Sequence, residues 1–237
     1  MTADVRFPPN RDELRRGQLT RLTEMLRELS ASNPFWTRRF ESVGLDPANL
    51  TTWDEFARIP LLSKADLVAD HSANQPYSTN MTYPLVRYSR LHQTSGTTGR
   101  PLRWLDTPAS WDWFMKCWSQ IFHLIGLTPA DRLAFPFSFG PFIGFWAAFE
   151  GASRLGNLCL PAGGLSSQAR LQMILDNEAT FVCCTPTYAL RLVAVAQEEG
   201  IDLASSAVRG VVVAGEPGGN VPAIRQKIET GFGARVF

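Results

Sequence analysis

The sequence predicts an α/β protein: a helical lead-in followed by a mainly parallel, helix-covered sheet. Three observations carry this. Beyond about residue 85, strand-like runs recur roughly every 25 residues with helical stretches between them, the rhythm of a parallel sheet covered on both faces. Two of those runs, at 180–184 and 208–213, are strongly apolar, as strands buried on both faces must be. Before that point the apolar residues keep helical spacing and are interrupted by Asn33-Pro34, Asp46-Pro47 and Ile59-Pro60.

Residues 12–31 place Leu19, Leu22, Met25, Leu26 and Leu29 on one helical face. A second short helix begins at Pro34 and stops near Gly44. Ser63, with Asp66 three residues on, reads as the N-cap of a third. Residues 1–84 are therefore expected to be a helical region, and 85–237 an α/β region. Leu85-Val86-Arg87-Tyr88-Ser89 looks extended, and so does Leu102-Arg103-Trp104-Leu105, which makes the stretch between them a loop joining two strands. Thr107 is a good N-cap with Pro108 in the first helical position. Trp111, Phe114, Met115, Trp118, Ile121, Phe122 and Ile125 then line a helix ended by Gly126, a stripe better suited to core than to a ligand platform. Strands are expected at 132–135, 157–160, 180–184, 208–213 and 234–237. Helices are expected at 144–155, 167–177, 188–199 and 221–230.

The 237 residues include 45% hydrophobic and 19% charged side chains, enough apolar content for a packed core. Net charge is +1, so no electrostatic argument favours nucleic acid or a membrane surface. Residues 1–10 lack an apolar signal core. The most apolar stretch, 133–149, is broken by Pro136, Gly140, Pro141 and Gly144, too interrupted for a spanning helix. A cytoplasmic protein is the expectation. Cys117, Cys159, Cys183 and Cys184 include no C-x-x-C pair and read as buried free thiols. His71, His92 and His123 are scattered, so no metal set is expected.

Three loops stand out chemically. The first is Thr94-Ser95-Gly96-Thr97-Thr98-Gly99-Arg100, followed by Pro101. Its glycines permit close backbone approach, its hydroxyls and N–H groups can donate to an anion, and Arg100 adds a cation, all suited to a polyphosphate. Arg100-Pro101 after the last glycine rules out a Walker A loop. Local chemistry equally admits a solvated hairpin turn. The second is Phe135-Pro136-Phe137-Ser138-Phe139-Gly140-Pro141-Phe142, at a strand end: its aromatics either wall a flat apolar pocket or fill core beneath a loop. The third is Ala214-Gly215-Glu216-Pro217, after the strongly apolar strand at 208–213. Glu216 could accept from an amine or a ribose, or be a solvent-facing carboxylate in a turn. Ligands of parallel sheets bind at the carboxyl ends of strands, where the second and third loops lie.

The string Thr94 to Pro101 resembles the [ST]-S-G-T-T-G-[KR]-P phosphate loop of the adenylate-forming enzymes, the acyl-CoA synthetase, luciferase and adenylation-domain superfamily. Within it, His92 and later strings resemble the phenylacetate–CoA ligase branch. Ala214-Gly215-Glu216-Pro217 is similar to its adenine-binding turn, with Gly218 where a larger residue is usual. Phe139-Gly140-Pro141-Phe142 is similar to its aryl-acid segment, with Phe139 where a tyrosine is common. Thr185-Pro186-Thr187-Tyr188, and Pro161-Ala162-Gly163-Gly164 with Gln168, also resemble that branch.

The resemblance implies ATP phosphate binding at residues 94–100, adenine binding at 214–217 and an acid pocket at Phe139, Gly140 and Phe142, with His92 orienting the phosphate loop or lining that pocket. It implies an ATP-dependent acid–CoA ligase on an aryl acid such as phenylacetate, with ATP, Mg²⁺ and coenzyme A, and a homodimer as one assembly of the full-length form. The family's aromatic-G-x-T-E motif and catalytic lysine would fall beyond Phe237. The chain is therefore expected to be the N-terminal portion of such an enzyme, truncated within its sheet, with no complete catalytic set. A non-catalytic nucleotide-binding module stands as the alternative, as do relatives that transfer AMP to a deazaflavin or acyl groups to a protein thiol.

Overall fold

The structure, a computed structural model, describes residues 8–94, 96 and 101–237. They divide into two compact units, one running to Ser110 and the other from Trp111 to Phe237.

In the first unit, α1 (Arg11–Ser32) starts where Asn10 accepts the Glu13 N–H and ends at Asn33. Asn33 at once caps α2 (Pro34–Glu41), accepting the Trp36 N–H. Leu26, Phe40 and Leu50 form the buried centre between these elements. Met25, expected on the apolar face of α1, is 49% exposed, whereas Thr23 is buried. The Thr23 hydroxyl donates to Leu19 O and Leu50 O, which makes its burial tolerable. Capping boxes open α3 (Trp53–Phe56) and α4 (Lys64–Ala73), the latter through Ser63 and Asp66 as expected. Phe35, Leu67 and Leu102 form a second small cluster.

The unit closes with an antiparallel hairpin of β1 (Arg90–Gln93) and β2 (Arg103–Asp106), in register from Arg90 opposite Asp106 to Gln93 opposite Arg103. The extended stretch expected at 85–89 is instead a 3₁₀ turn, Leu85–Arg87, and pairing begins only at Ser89. β2 stops at Asp106 because Thr107 and Pro108 begin α5 (Pro108–Leu124), so residues 85–88 have no strand to pair with. Thr107 Oγ1 accepts the Ser110 N–H at 3.1 Å, the N-cap the sequence predicts. Thr107→Ala is expected to cost about 1 kcal/mol, read as a lower urea midpoint, with Thr107→Ser restoring most of it; an unchanged midpoint would show that the cap contributes nothing.

The second unit is a five-stranded parallel sheet. Its strands are β3 (Arg132–Phe135), β4 (Leu158–Pro161), β5 (Phe181–Cys184), β6 (Gly210–Val213) and β7 (Arg235–Val236), in the order β4-β3-β5-β6-β7. Between them run α6 (Trp146–Arg154), α7 (Ser167–Asp176), α8 (Pro186–Glu198) and α9 (Pro222–Phe232). Each strand sends alternate side chains to opposite faces. Ala134, Val182, Cys184, Val211 and Val236 pack against Leu171, Leu192, Val195, Ile228 and Phe232 of α7, α8 and α9. Leu133, Phe135, Phe181, Cys183 and Val212 pack against Phe122 of α5 and Ala148 and Ala152 of α6. Each expected strand and helix from residue 132 onward is found within about two residues of its reading. The α5 stripe is narrower than expected. Trp111, Met115 and Phe122 are buried, but Phe114 and Ile121 lie on its shoulder, 37% and 39% exposed.

The order of strands locates a crevice. From β3 the chain passes to β4 on one side; from β5 it passes to β6 on the other. The connections diverge between β3 and β5, and the carboxyl ends of those strands border the opening where ligands of such sheets sit.

Candidate functional site

The candidate residues fall in both units, and each group is described within its own. In the first unit the string from Thr94 to Pro101 falls between β1 and β2 in the sequence. Ser95, Thr97, Thr98, Gly99 and Arg100 lie outside the described residues. Thr94 is described and closes the loop's base. Its N–H donates to Leu102 O and its Oγ1 accepts the Leu102 N–H, both at 3.0 Å. Gly96 has φ +69°. His92, one strand position before the loop's root, is buried, with Nδ1 3.7 Å from Asp106 Oδ2. Asp106 in turn accepts from the Ser110 hydroxyl at 2.9 Å. Two residues that sequence reasoning passed over also steady this hairpin. His71 Nε2, on α4, accepts the Arg103 N–H at 3.2 Å, and the Arg103 guanidinium donates to Pro76 O at 2.7 Å. No local pattern signals either contact, because the partners are far apart in the chain.

In the second unit, the loops after β3, β4, β5 and β6 meet at the carboxyl edge of the sheet. The Phe135 carbonyl accepts the N–H groups of Phe137 and Ala162 at 2.7 and 3.1 Å, so the loops after β3 and β4 leave the sheet side by side. A side chain at Gly163 would put Cβ 3.1 Å from Phe137 O, which explains glycine there. The sequence left the aromatics of the β3 loop between pocket wall and core, and they divide. Phe139 is half-buried and packs edge-on against Phe137, Trp146 and Phe149, with ring centroids 5.4, 4.8 and 5.2 Å away. Gly140 O accepts the Trp146 indole N–H at 3.0 Å. Phe142 is 42% exposed.

At the other side of the crevice, Thr185 caps α8 by accepting the Tyr188 N–H at 3.2 Å, and Glu216 Oε1 accepts the Thr187 N–H at 2.8 Å. Thr187 and Thr185 hydrogen bonds hold the Glu216 carboxyl below the usual carboxylate range. Ala214, Gly215 and Pro217 are exposed, and Gly218 is buried against α8. Arg170, which the sequence did not single out, donates from Nε to Ala162 O at 2.8 Å and stacks 5.1 Å from the Tyr188 ring centroid.

Burial disfavours the thiolate at three of the four cysteines. Burial pushes Cys159 up to about 12, and burial with the Glu216 charge does the same for Cys184; burial takes Cys183 well above the ordinary range. Cys183 and Cys184 are buried as expected, but Cys117 and Cys159 are only half-buried. Among the described residues no three His, Cys, Asp or Glu side chains converge on a possible metal site, and no helix is long and apolar enough to cross a membrane.

The loops after four parallel strands thus share one edge of the sheet, and comparison with known proteins gives relatives of this chain. No family model matches the chain. It is 28% identical over 223 residues to the phenylacetate-coenzyme A ligase of Escherichia coli K12, covering 94% of this chain and 49% of that protein. It is 30% identical over 206 residues to the same enzyme of Pseudomonas putida, covering 87% of this chain and 46% of that protein. It superposes with a TM-score of 0.89 and 27% identity on an open conformation of 2-hydroxyisobutyryl-CoA ligase, solved with 2-HIB-AMP and CoA, covering 99% of this chain and 58% of that one.

In sequence and fold the chain resembles the phenylacetate–CoA ligase-like branch of the adenylate-forming enzymes. It spans about half the length of the curated ligases it matches. The strings that resemble those ligases have structural addresses: Phe139 to Phe142 follows β3, beside the divergence between β3 and β5, and Ala214 to Pro217 follows β6, the strand beyond β5.

Proposed function

We propose that the chain serves an ATP-dependent acid–CoA ligase. A carboxylate oxygen of the acid attacks the α-phosphorus of ATP, forming an acyl-adenylate and expelling pyrophosphate. The thiolate of coenzyme A then attacks the acyl carbon and expels AMP. Such chemistry asks the protein chiefly to position reactants and balance charge. The observation that carries the reading is the carboxyl edge of the sheet. An aromatic loop (Phe139, Gly140, Phe142) follows β3, which borders the crevice, and a glycine-bearing turn (Ala214 to Pro217) follows β6, one strand beyond β5, in a fold shared with a ligase solved with 2-HIB-AMP.

In this reading the backbone of 214–217 meets the adenine and residues 94–100 hold the phosphates. Phe142, exposed beside the packed Phe139, offers an apolar face to an aryl acid such as phenylacetate. Mg²⁺, when bound with the nucleotide, would supply neutralisation of the phosphate charge.

The test is calorimetric titration of the chain with ATP. Thr97→Ala with Thr98→Ala should weaken binding at least tenfold, since hydrogen bonds to charged phosphate are each worth about 1.5–3 kcal/mol. Unchanged affinity would remove the phosphate-loop assignment. ATP binding with no acid-dependent pyrophosphate exchange would instead favour a nucleotide-binding module.

A further inference from the structure

The α8 helix begins with Pro186, which has no N–H, so its first donors are the N–H groups of Thr187 and Tyr188. Thr185 takes the second of these. The first is taken by Glu216, 29 residues away on the turn after β6, at 2.8 Å. The same turn touches α8 twice more. A Cβ on Gly218 would lie 2.7 Å from Pro186 Cβ, and one on Gly215 would lie 3.5 Å from Thr185 Cγ2. Ala214 N–H also donates to Cys184 O at 3.3 Å. The turn is thus pressed against the start of α8, and Glu216 supplies the one charged contact among these.

We infer that Glu216 is a positioning residue: its carboxylate clamps the 214–218 turn to the N-terminus of α8 and is not the acceptor for the adenine amine. The inference rests on the reading of this turn as the adenine site. A carboxylate on a free helix N–H is favoured by the helix dipole as well as by the hydrogen bond, so turning it toward a ligand would sacrifice both. The hydrogen bonds that keep its carboxyl below the usual range leave it charged throughout the neutral region. With the side chain engaged, the backbone of the exposed residues Ala214, Gly215 and Pro217 is what this reading leaves for the base.

Two measurements on the whole chain test this. Hydrogen exchange of the Thr187 amide should accelerate at least tenfold in Glu216→Ala and stay near the unaltered rate in Glu216→Gln, whose amide oxygen can still accept; equal exchange in all three would overturn the clamp. Affinity should then be compared for ATP and for purine riboside triphosphate, which lacks the exocyclic amine. A positioning role lowers both by the same factor in Glu216→Ala, about tenfold for one charge-assisted hydrogen bond, and Glu216→Gln restores both. Loss confined to ATP would show that Glu216 contacts the amine, and would overturn the inference. If the unaltered chain binds neither nucleotide, the adenine reading fails and takes the ligand half of this inference with it, while the exchange result still decides the clamp.

Discussion

Arg209→Ala is expected to destabilise the sheet unit by about 3–5 kcal/mol, the usual cost of leaving a buried charge without its partner. Arg209 donates to Asp131 twice, from Nε to Oδ1 at 2.9 Å and from an amino group to Oδ2 at 2.6 Å, and the Asp131 side chain is only 4% exposed. The same guanidinium donates to Gly126 O at 2.9 Å and lies 4.5 Å from the Phe181 ring centroid. Thr128 and Thr180 complete the shell around the carboxylate. Burial alone would raise the Asp131 carboxyl, but hydrogen bonds from Arg209, Thr128 and Thr180 outweigh it and bring it to about 2.

The sign of the pH dependence follows. A carboxyl lower in the folded chain than in the unfolded one contributes fully above the unfolded value of about 3.9 and loses that contribution as pH falls toward 2. The linked amount is about 2 kcal/mol. Urea unfolding of the unaltered chain should therefore weaken between about pH 4 and pH 2. In Arg209→Ala the carboxyl loses its cation, so the loss should begin at higher pH. A change below about 1 kcal/mol at pH 7 would show that the two threonines suffice, contrary to the expected cost of an unpaired buried charge.

The second large effect is expected at Gly218. Its φ is +151°, and a Cβ there would meet Pro186 Cβ at 2.7 Å and Cγ at 3.1 Å. Pro186 is buried at the first position of α8 and its ring cannot swing aside. Gly218→Ala must therefore move the turn. Nucleotide affinity should fall at least tenfold, with a stability loss of about 1–3 kcal/mol from overpacking and backbone strain. Gly200→Ala is the control: that glycine also has positive φ, at +68°, but nothing lies within 4 Å of the added Cβ. It should cost stability of about 1–2 kcal/mol and leave nucleotide affinity unchanged. Equal losses of affinity in both variants would mean that Gly218 acts through general strain and not through the turn.

These predictions depend on contacts of very different legibility. The elements were readable because their causes are local. Apolar strands buried on both faces, helical stripes, and caps such as Ser63 and Thr107 all write themselves into a few consecutive residues. The family strings were readable for the same reason, since each is contiguous. Local pattern misled where a partner decides the outcome. Residues 85–88 look like a strand, but the cap of α5 ends the strand they would pair with. Met25 has the right spacing for the α1 core face, yet Thr23 takes the buried place because Leu50 O accepts its hydroxyl.

By itself, then, the sequence determined the α/β class, the order of strands and helices along the chain, and the resemblance to the phenylacetate–CoA ligase branch of the adenylate-forming enzymes. Tertiary structure alone decided the strand order β4-β3-β5-β6-β7, and with it the crevice between β3 and β5, because no residue in a crossover records the side on which its strand will dock. It also decided that Glu216 reaches Thr187, that Arg209 reaches Asp131 across 78 positions, and that Phe139 packs inward while Phe142 stays exposed. Those pairings join groups distant in the chain, and only the closing of the sheet brings them within hydrogen-bond and packing distance.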